Sequence, residues 1–178
     1  MLRRFMFTMA VGALAWTPSV QGLDSAALAA TPRPCRAADL SAGPIADGAG
    51  MSHPFVVIGL VNRGRSSCTL HGYPNIAAMR VMSGERIPLL ITNGDLMNVA
   101  GPRPRSFALV PGAHAWFAVG AATAYDPPLV TITRIAVRFG ATPSLLSIPI
   151  VLPASAPQGE SFPVGVTAYA AGDPPPVG

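Results

Sequence analysis

The chain has 178 residues, half of them hydrophobic and only 11% charged, with 18 glycines and 20 prolines. That is too apolar for wholesale disorder and too sparsely charged for an ordinary helical cytosolic protein. All of its cationic residues are arginine, so Schiff-base, P-loop and Ser-Lys chemistry are excluded, and a net charge of +4 spread without a basic face speaks against a nucleic-acid partner.

At the N-terminus, Arg3 and Arg4 precede the apolar run Phe5–Trp16, and small residues follow at Val20–Gly22 and Ala27–Ala29. This is the layout of a secretory signal peptide, ending at Gly22 or at Ala29. The run is too short to span a bilayer, which takes about 20 residues. Residues 1–22 (or 1–29) are therefore read as a leader and 23–34 as a linker. Residues 35–170 are read as the folded domain and 171–178 as a Pro-rich flexible tail. No later segment is long and apolar enough for a transmembrane span, so the mature chain is expected to be secreted or held at the cell envelope by contacts.

Cys35 and Cys68 are the only cysteines. An even pair in an oxidising compartment is most simply a disulfide. The loop it closes has a chain-entropy value of roughly 3.5–4 kcal/mol. A Gly-rich stretch (Gly43, Gly48, Gly50) is read as a loop. Phe55–Val61 is an unbroken apolar run, rich in β-branched residues and bounded by turn residues, which predicts a buried central strand. Cys68–Leu70 is a short strand stopping at Gly72-Tyr73-Pro74. Ile76–Met82 and Arg86–Thr92 flank Ser83-Gly84-Glu85, a hairpin signal. Pro111-Gly112 is a tight turn between Phe107–Val110 and Ala113–Gly120.

Farther on, Thr131, Thr133, Ile135, Val137 and Phe139 alternate with the outward Arg134 and Arg138. Leu146–Leu152 contains Pro149, which predicts an edge or a bulge, and Val164–Ala168 closes the series. The pattern predicts an all-β fold. Its expected form is an antiparallel two-sheet β-sandwich, immunoglobulin-like in general architecture, with about eight strands and one disulfide.

Three pieces of this sequence carry a family resemblance. They are Asn62 at the end of Leu60-Val61-Asn62, the heptad Cys68-Thr69-Leu70-His71-Gly72-Tyr73-Pro74, and the segment Leu109-Val110-Pro111-Gly112-Ala113. Together with Cys35 and Asp39-Leu40, they resemble domain-of-unknown-function family 4232, found in secreted proteins and lipoproteins of actinobacteria. The resemblance implies a β-sandwich-like extracytoplasmic module and supplies no activity. Many members carry a further cysteine that this chain lacks, so the pairing of Cys35 with Cys68 rests on their count.

Chemistry is thinly signalled. His53, His71 and His114 each adjoin a turn or a strand end, where exposed turn histidines are the plain reading. With Met51, Met79, Met82 and Met97 they supply donors of the kind soft-metal (copper) carriers use. A secreted hydrolase would need one histidine beside an activated serine, and G-x-S-x-G is absent. Arg63, Arg65, Arg103 and Arg105 fall in loops that could meet anionic envelope polymers. Tyr73, Trp116 and Tyr125 could form an aromatic platform, although Trp116 reads as core. No catalytic residue, metal ligand or cofactor is assigned. The sequence points to an exported, non-enzymatic module binding a protein or cell-envelope component through loops or an edge strand. A copper carrier or sensor is the alternative, and a secreted hydrolase a weaker one.

Overall fold

The computed structural model describes residues 32–96, 99–123, 129–140, 144–156 and 160–174. The expected leader, the expected linker up to residue 31, Met97, Tyr125 and the tail beyond residue 174 lie outside the described residues. In chain order the strands are β1 (Arg33–Pro34), β2 (Leu40–Gly50), β3 (His53–Asn62), β4 (Cys68–His71), β5 (Asn75–Val81), β6 (Leu89–Asn93), β7 (Ser106–Leu109), β8 (His114–Ala121), β9 (Leu129–Arg138), β10 (Leu145–Ser155), β11 (Phe162–Val166) and β12 (Ala170–Ala171). A single 3-10 turn, Ala37–Asp39, precedes β2, and there is no α-helix among the described residues.

The all-β, sandwich-like reading holds, and the strand count among the described residues is twelve rather than about eight. The strands form one six-stranded sheet in the order β2-β3-β8-β11-β6, with β12 beside β8, and two three-stranded sheets, β10-β9-β5 and β1-β4-β7. Most pairings are antiparallel, while β1 with β4 and β11 with β6 are parallel. The difference from the expected two-sheet antiparallel form lies in the connections. After the Ser83–Gly84 turn, Arg86 makes one bridge back to Arg80, and then Pro88, which has no N–H to give, ends the expected hairpin. The chain crosses to the six-stranded sheet as β6. The Pro111–Gly112 turn likewise joins strands of different sheets, since β7 pairs with β4 and β8 with β3.

All three sheets contribute to one core. Ile58, Leu60, Phe117 and Val166 come from the six-stranded sheet, Ile135, Ile148 and Leu152 from β9 and β10, and Cys68, Leu70 and Leu109 from β4 and β7. β10 packs across β2, β3 and β8. Burial of each large aliphatic side chain contributes about 1.5–3 kcal/mol before entropy is counted. Tyr169 sits edge-on to Phe117 at 5.6 Å and stacks on Phe139 at 6.2 Å, which ties β8 to the end of β9.

The expected Gly-rich loop is instead the strand β2, paired with β3 along its whole length apart from a bulge between Pro44 and Ala46. Its glycine makes room for a neighbour: a Cβ on Gly48 would stand 2.8 Å from the Phe55 ring. In β9, the inward alternation runs cleanly from Ile135 to Phe139. It slips at Ile132, where both neighbouring strands shift register, so Thr131 and Thr133 are only half-buried. β10 is an edge strand with a bulge between Pro149 and Leu152, as Pro149 signalled.

The disulfide joins Cys35 to Cys68, with 4.7 Å between the Cα atoms. Beside it, the Cys35 N–H donates to the Thr69 carbonyl at 3.0 Å, and Thr69 Oγ1 donates to the Pro32 carbonyl at 3.0 Å. Residues 33–34, the end of the expected linker, thus pair as β1 against β4.

Candidate functional site

The six-stranded sheet is apolar on both faces. Alternation along β3 and β8 sends Val56, Ile58, Phe117 and Val119 into the main core, and Phe55, Val57, Trp116 and Ala118 to the opposite face. On that outer face one cross-strand row runs Gly48, Phe55, Gly120, Gly165, Thr92, each directly opposite the next. Two glycines side by side leave a notch in the middle of the sheet, and Leu96 fills it. A Cβ on Gly120 would stand 3.1 Å from Leu96 Cδ1, and one on Gly165 would collide with Leu96 Cδ2.

Leu96 is held there from several directions. Gly94 N–H donates to the Val166 carbonyl at 3.0 Å, and Asp95 Oδ1 accepts from Gly101 N–H at 3.0 Å. Leu96 and Val99 exchange backbone hydrogen bonds. The buried Thr167 hydroxyl accepts from Ala118 N–H at 2.8 Å and fixes the strand beneath.

Around Leu96 is a cavity of about 320 Å³, lined mainly by Pro54, Phe55, Ala121 and Pro163, with His53, Thr92 and Asp95 as its polar groups. That volume is at the lower end for organic ligands and suits one or two side chains. The His53 ring meets the Met51 carbonyl at 2.7 Å through Nδ1. A carbonyl only accepts, so Nδ1 carries the proton. Met51 and Ser52, the two residues of the β2–β3 turn, both have positive φ, at 48° and 63°. Such a turn matches the twist of a hairpin but normally carries Asn or Gly.

Thr92 brings β6, an edge of the sheet, into the cavity's lining. Among the described residues β6 has β11 on one side and no strand on the other. Three of the other edges are blunted in ways that hinder pairing: β2 by Pro44 and its bulge, β10 by Pro149, Pro153 and a bulge, β5 by two register shifts. In contrast, β6 (Leu-Leu-Ile-Thr-Asn) carries no charge, no proline and no register shift, and Leu90 is 61% exposed. The apolar character of 86–92 is visible in the sequence. Its place at an edge is not, because it depends on the crossover at Pro88.

The three histidines are not brought together. His53 lines this cavity, His114 lines a second one beside Gly59 and Pro174, and His71 lines a third beside Tyr73 and Arg138. His71 Nδ1 meets Ser106 Oγ at 2.5 Å, a contact between directly opposed residues of β4 and β7 that the sequence reading did not identify. Among the described residues no carboxylate lines the cavity beside that pair. Met79 is fully buried, whereas Met51 and Met82 stand exposed on different turns. Among the described residues no three His, Cys, Asp or Glu side chains converge in a way that could hold a metal. Arg103 and Arg105 are exposed, and the Arg105 carbonyl accepts from Gly72 N–H at 3.2 Å. Trp116 is buried and Tyr73 half-buried at a separate cavity, so those two form no common platform.

The residues behind the family resemblance serve mainly as joints. Asn62 is buried, and its Nδ2 donates to the Ser66 and Leu109 carbonyls at 3.0 and 2.8 Å. Its Oδ1 accepts from Gly64 N–H at 2.9 Å, and its carbonyl accepts from Gly112 N–H at 2.8 Å. Gly72 and Gly112 have φ of 61° and 78°, a backbone region that other residues enter at a cost. Pro111 is exposed at the turn, while Leu70 and Pro74 are buried. Together these bonds tie the turn after β3 to the turn after β7.

No helix among the described residues is long and apolar enough to cross a membrane. No curated protein and no solved structure matches the chain. The sequence model of the domain of unknown function DUF4232 matches residues 35–168. That span takes in the disulfide, the Asn62 joint and the glycine-floored cavity, and the chain belongs to the DUF4232 family.

Proposed function

We propose that this chain is an exported, non-enzymatic binding module that takes an extended segment of a partner protein along β6. The observation that carries the reading is the contrast between edges. Of the described edge strands of five residues or more, β2, β5, β6 and β10, only β6 lacks a proline, a register shift and a charge, and it lines an apolar cavity with a glycine floor. An added strand gains backbone hydrogen bonds along such an edge, and alternate side chains find pockets beside it. The leader-like residues 1–22 and the Cys35–Cys68 bridge support an extracytoplasmic setting.

A displayed library of extended peptides, selected against the folded, disulfide-bonded chain, tests this. Enriched peptides should carry an apolar residue at alternate positions. Their binding should fall at least about tenfold in Leu90→Lys, which puts a charge on the edge, and in Gly165→Val, which displaces Leu96. Circular dichroism confirms that each variant is folded. A library yielding no enrichment, or peptides bound equally by both variants, would remove the proposal.

A further inference from the structure

On the other side of the molecule, the outer face of β10-β9-β5 gathers arginines. Arg80 in β5 lies directly opposite Arg134 in β9, and Arg86 bridges to Arg80 from beyond the turn. All three line one cavity of about 180 Å³. Its floor is made of small residues, since Ala78 and Ser147 flank Ala136 on the neighbouring strands, each opposite it. Directly opposed residues on one face have Cβ atoms about 5 Å apart, and like charges at that spacing destabilise a sheet. No carboxylate relieves them. The one ion pair among the described residues is Arg33 with Asp39, and Glu85, although next to Arg86 in sequence, pairs with none of the three. Arg134 donates Nη1 to Ser147 Oγ at 3.3 Å, and Arg80 donates Nη1 to the Gly84 carbonyl. These bonds hold two of the guanidinium groups in place while using one nitrogen of each.

We propose that this cleft binds a tetrahedral oxyanion, a phosphoryl group, through Arg80, Arg86 and Arg134 with Ser147 as a neutral hydroxyl partner. Guanidinium groups present paired N–H donors that match such oxygens, and a dianion converts the opposed charges from a repulsion into a shared attraction. The alanine floor leaves space for the anion between the arginine stems. The site is independent of β6, which belongs to the six-stranded sheet. The phosphoryl group could belong to a phospholipid headgroup at a membrane surface or to a soluble phosphate, and the two sources separate experimentally.

The test uses the folded, disulfide-bonded chain with inorganic phosphate as the first probe and sodium chloride of equal ionic strength as the control. Phosphate should raise Tm saturably above the chloride control and shift the Ala78 and Ala136 amide resonances. Arg134→Gln should weaken the phosphate effect at least about tenfold. Without phosphate, its Tm should equal or exceed that of the parent chain, because the opposed charge is gone. Arg80→Gln and Ser147→Ala give the same comparison if Arg134→Gln does not fold. Vesicles of phosphatidylglycerol, with phosphatidylcholine as control, then identify the source. Arg134-dependent sedimentation with the anionic vesicles points to a lipid headgroup, and phosphate binding without sedimentation points to a soluble ligand. A phosphate effect no greater than that of chloride, or one equal in the parent chain and the arginine variants, overturns the proposal.

Discussion

Asn62 and Leu109 lie 47 residues apart and are joined by a 2.8 Å hydrogen bond from the Asn62 amide to the Leu109 carbonyl. Both are buried, so neither group has water as a substitute. Asn62→Ala removes this bond and those to Ser66 and Gly64 together. The expected loss is about 2–4 kcal/mol, since buried backbone groups are left unpaired. Urea unfolding of the two chains measures it, and a change below about 0.5 kcal/mol would show that the joint contributes little to stability.

Reduction of the Cys35–Cys68 bridge, or Cys35→Ser, should cost roughly 3.5–4 kcal/mol by the loop-closure estimate. That is a large part of a typical 5–15 kcal/mol stability. Thermal unfolding with and without reductant gives the answer. Identical transitions would mean that the β1–β4 contacts hold this corner without the bridge.

The Arg33 guanidinium grips both oxygens of Asp39, at 2.7 and 3.0 Å, and Arg36 N–H adds a 3.2 Å bond. The hydrogen bond from Arg33 is the main cause that holds the Asp39 carboxyl below its ordinary range, and the backbone bond from Arg36 acts in the same direction. A lowered folded-state pKa gives stability that is present above the unfolded value, about 3.9, and lost as pH falls through the folded one. A carboxyl NMR titration should find Asp39 below the usual range in the parent chain and moved upward in Arg33→Gln. An unmoved Asp39 would transfer the effect to the Arg36 amide.

Burial pushes the Tyr169 hydroxyl in the opposite sense, to a raised pKa. The neutral phenol is favoured by folding, so this contribution is complete below the unfolded value near 10 and lost as pH rises beyond it. Phenolate absorbance from Tyr169 should therefore emerge together with alkaline unfolding. Tyr169→Phe keeps both ring contacts and should flatten the fall in stability above about pH 10. Phenolate formation by Tyr169 in a chain still folded by circular dichroism would contradict this.

Local signals carried much of this fold, and the connections carried the rest. Phe55–Val61 announced a buried central strand through its unbroken apolar run, and Pro149 announced an edge with a bulge. β2 was hidden because its glycines resemble a loop, and only the Phe55 ring that packs over Gly48 across the sheet explains that glycine's place in a strand. The crossover at Pro88 was hidden for a related reason. A turn signal says that the chain reverses, not which sheet receives the next strand. The same limit applied to the sites. His53, His71 and His114 were legible as residues, but their separation into three cavities is a property of topology, as is the meeting of Arg80 with Arg134.

The bridge between Cys35 and Cys68 also sets how the fold carries load. Tension applied upstream of Cys35 passes through the sulfurs directly to β4, bypassing residues 36–67. β2 and β3, which supply Gly48 and Phe55 to the cross-strand row beside the cavity, therefore lie in a slack loop outside the line of force. A chain tethered from its N-terminal side keeps that part of its surface unstretched for as long as the bridge is oxidised.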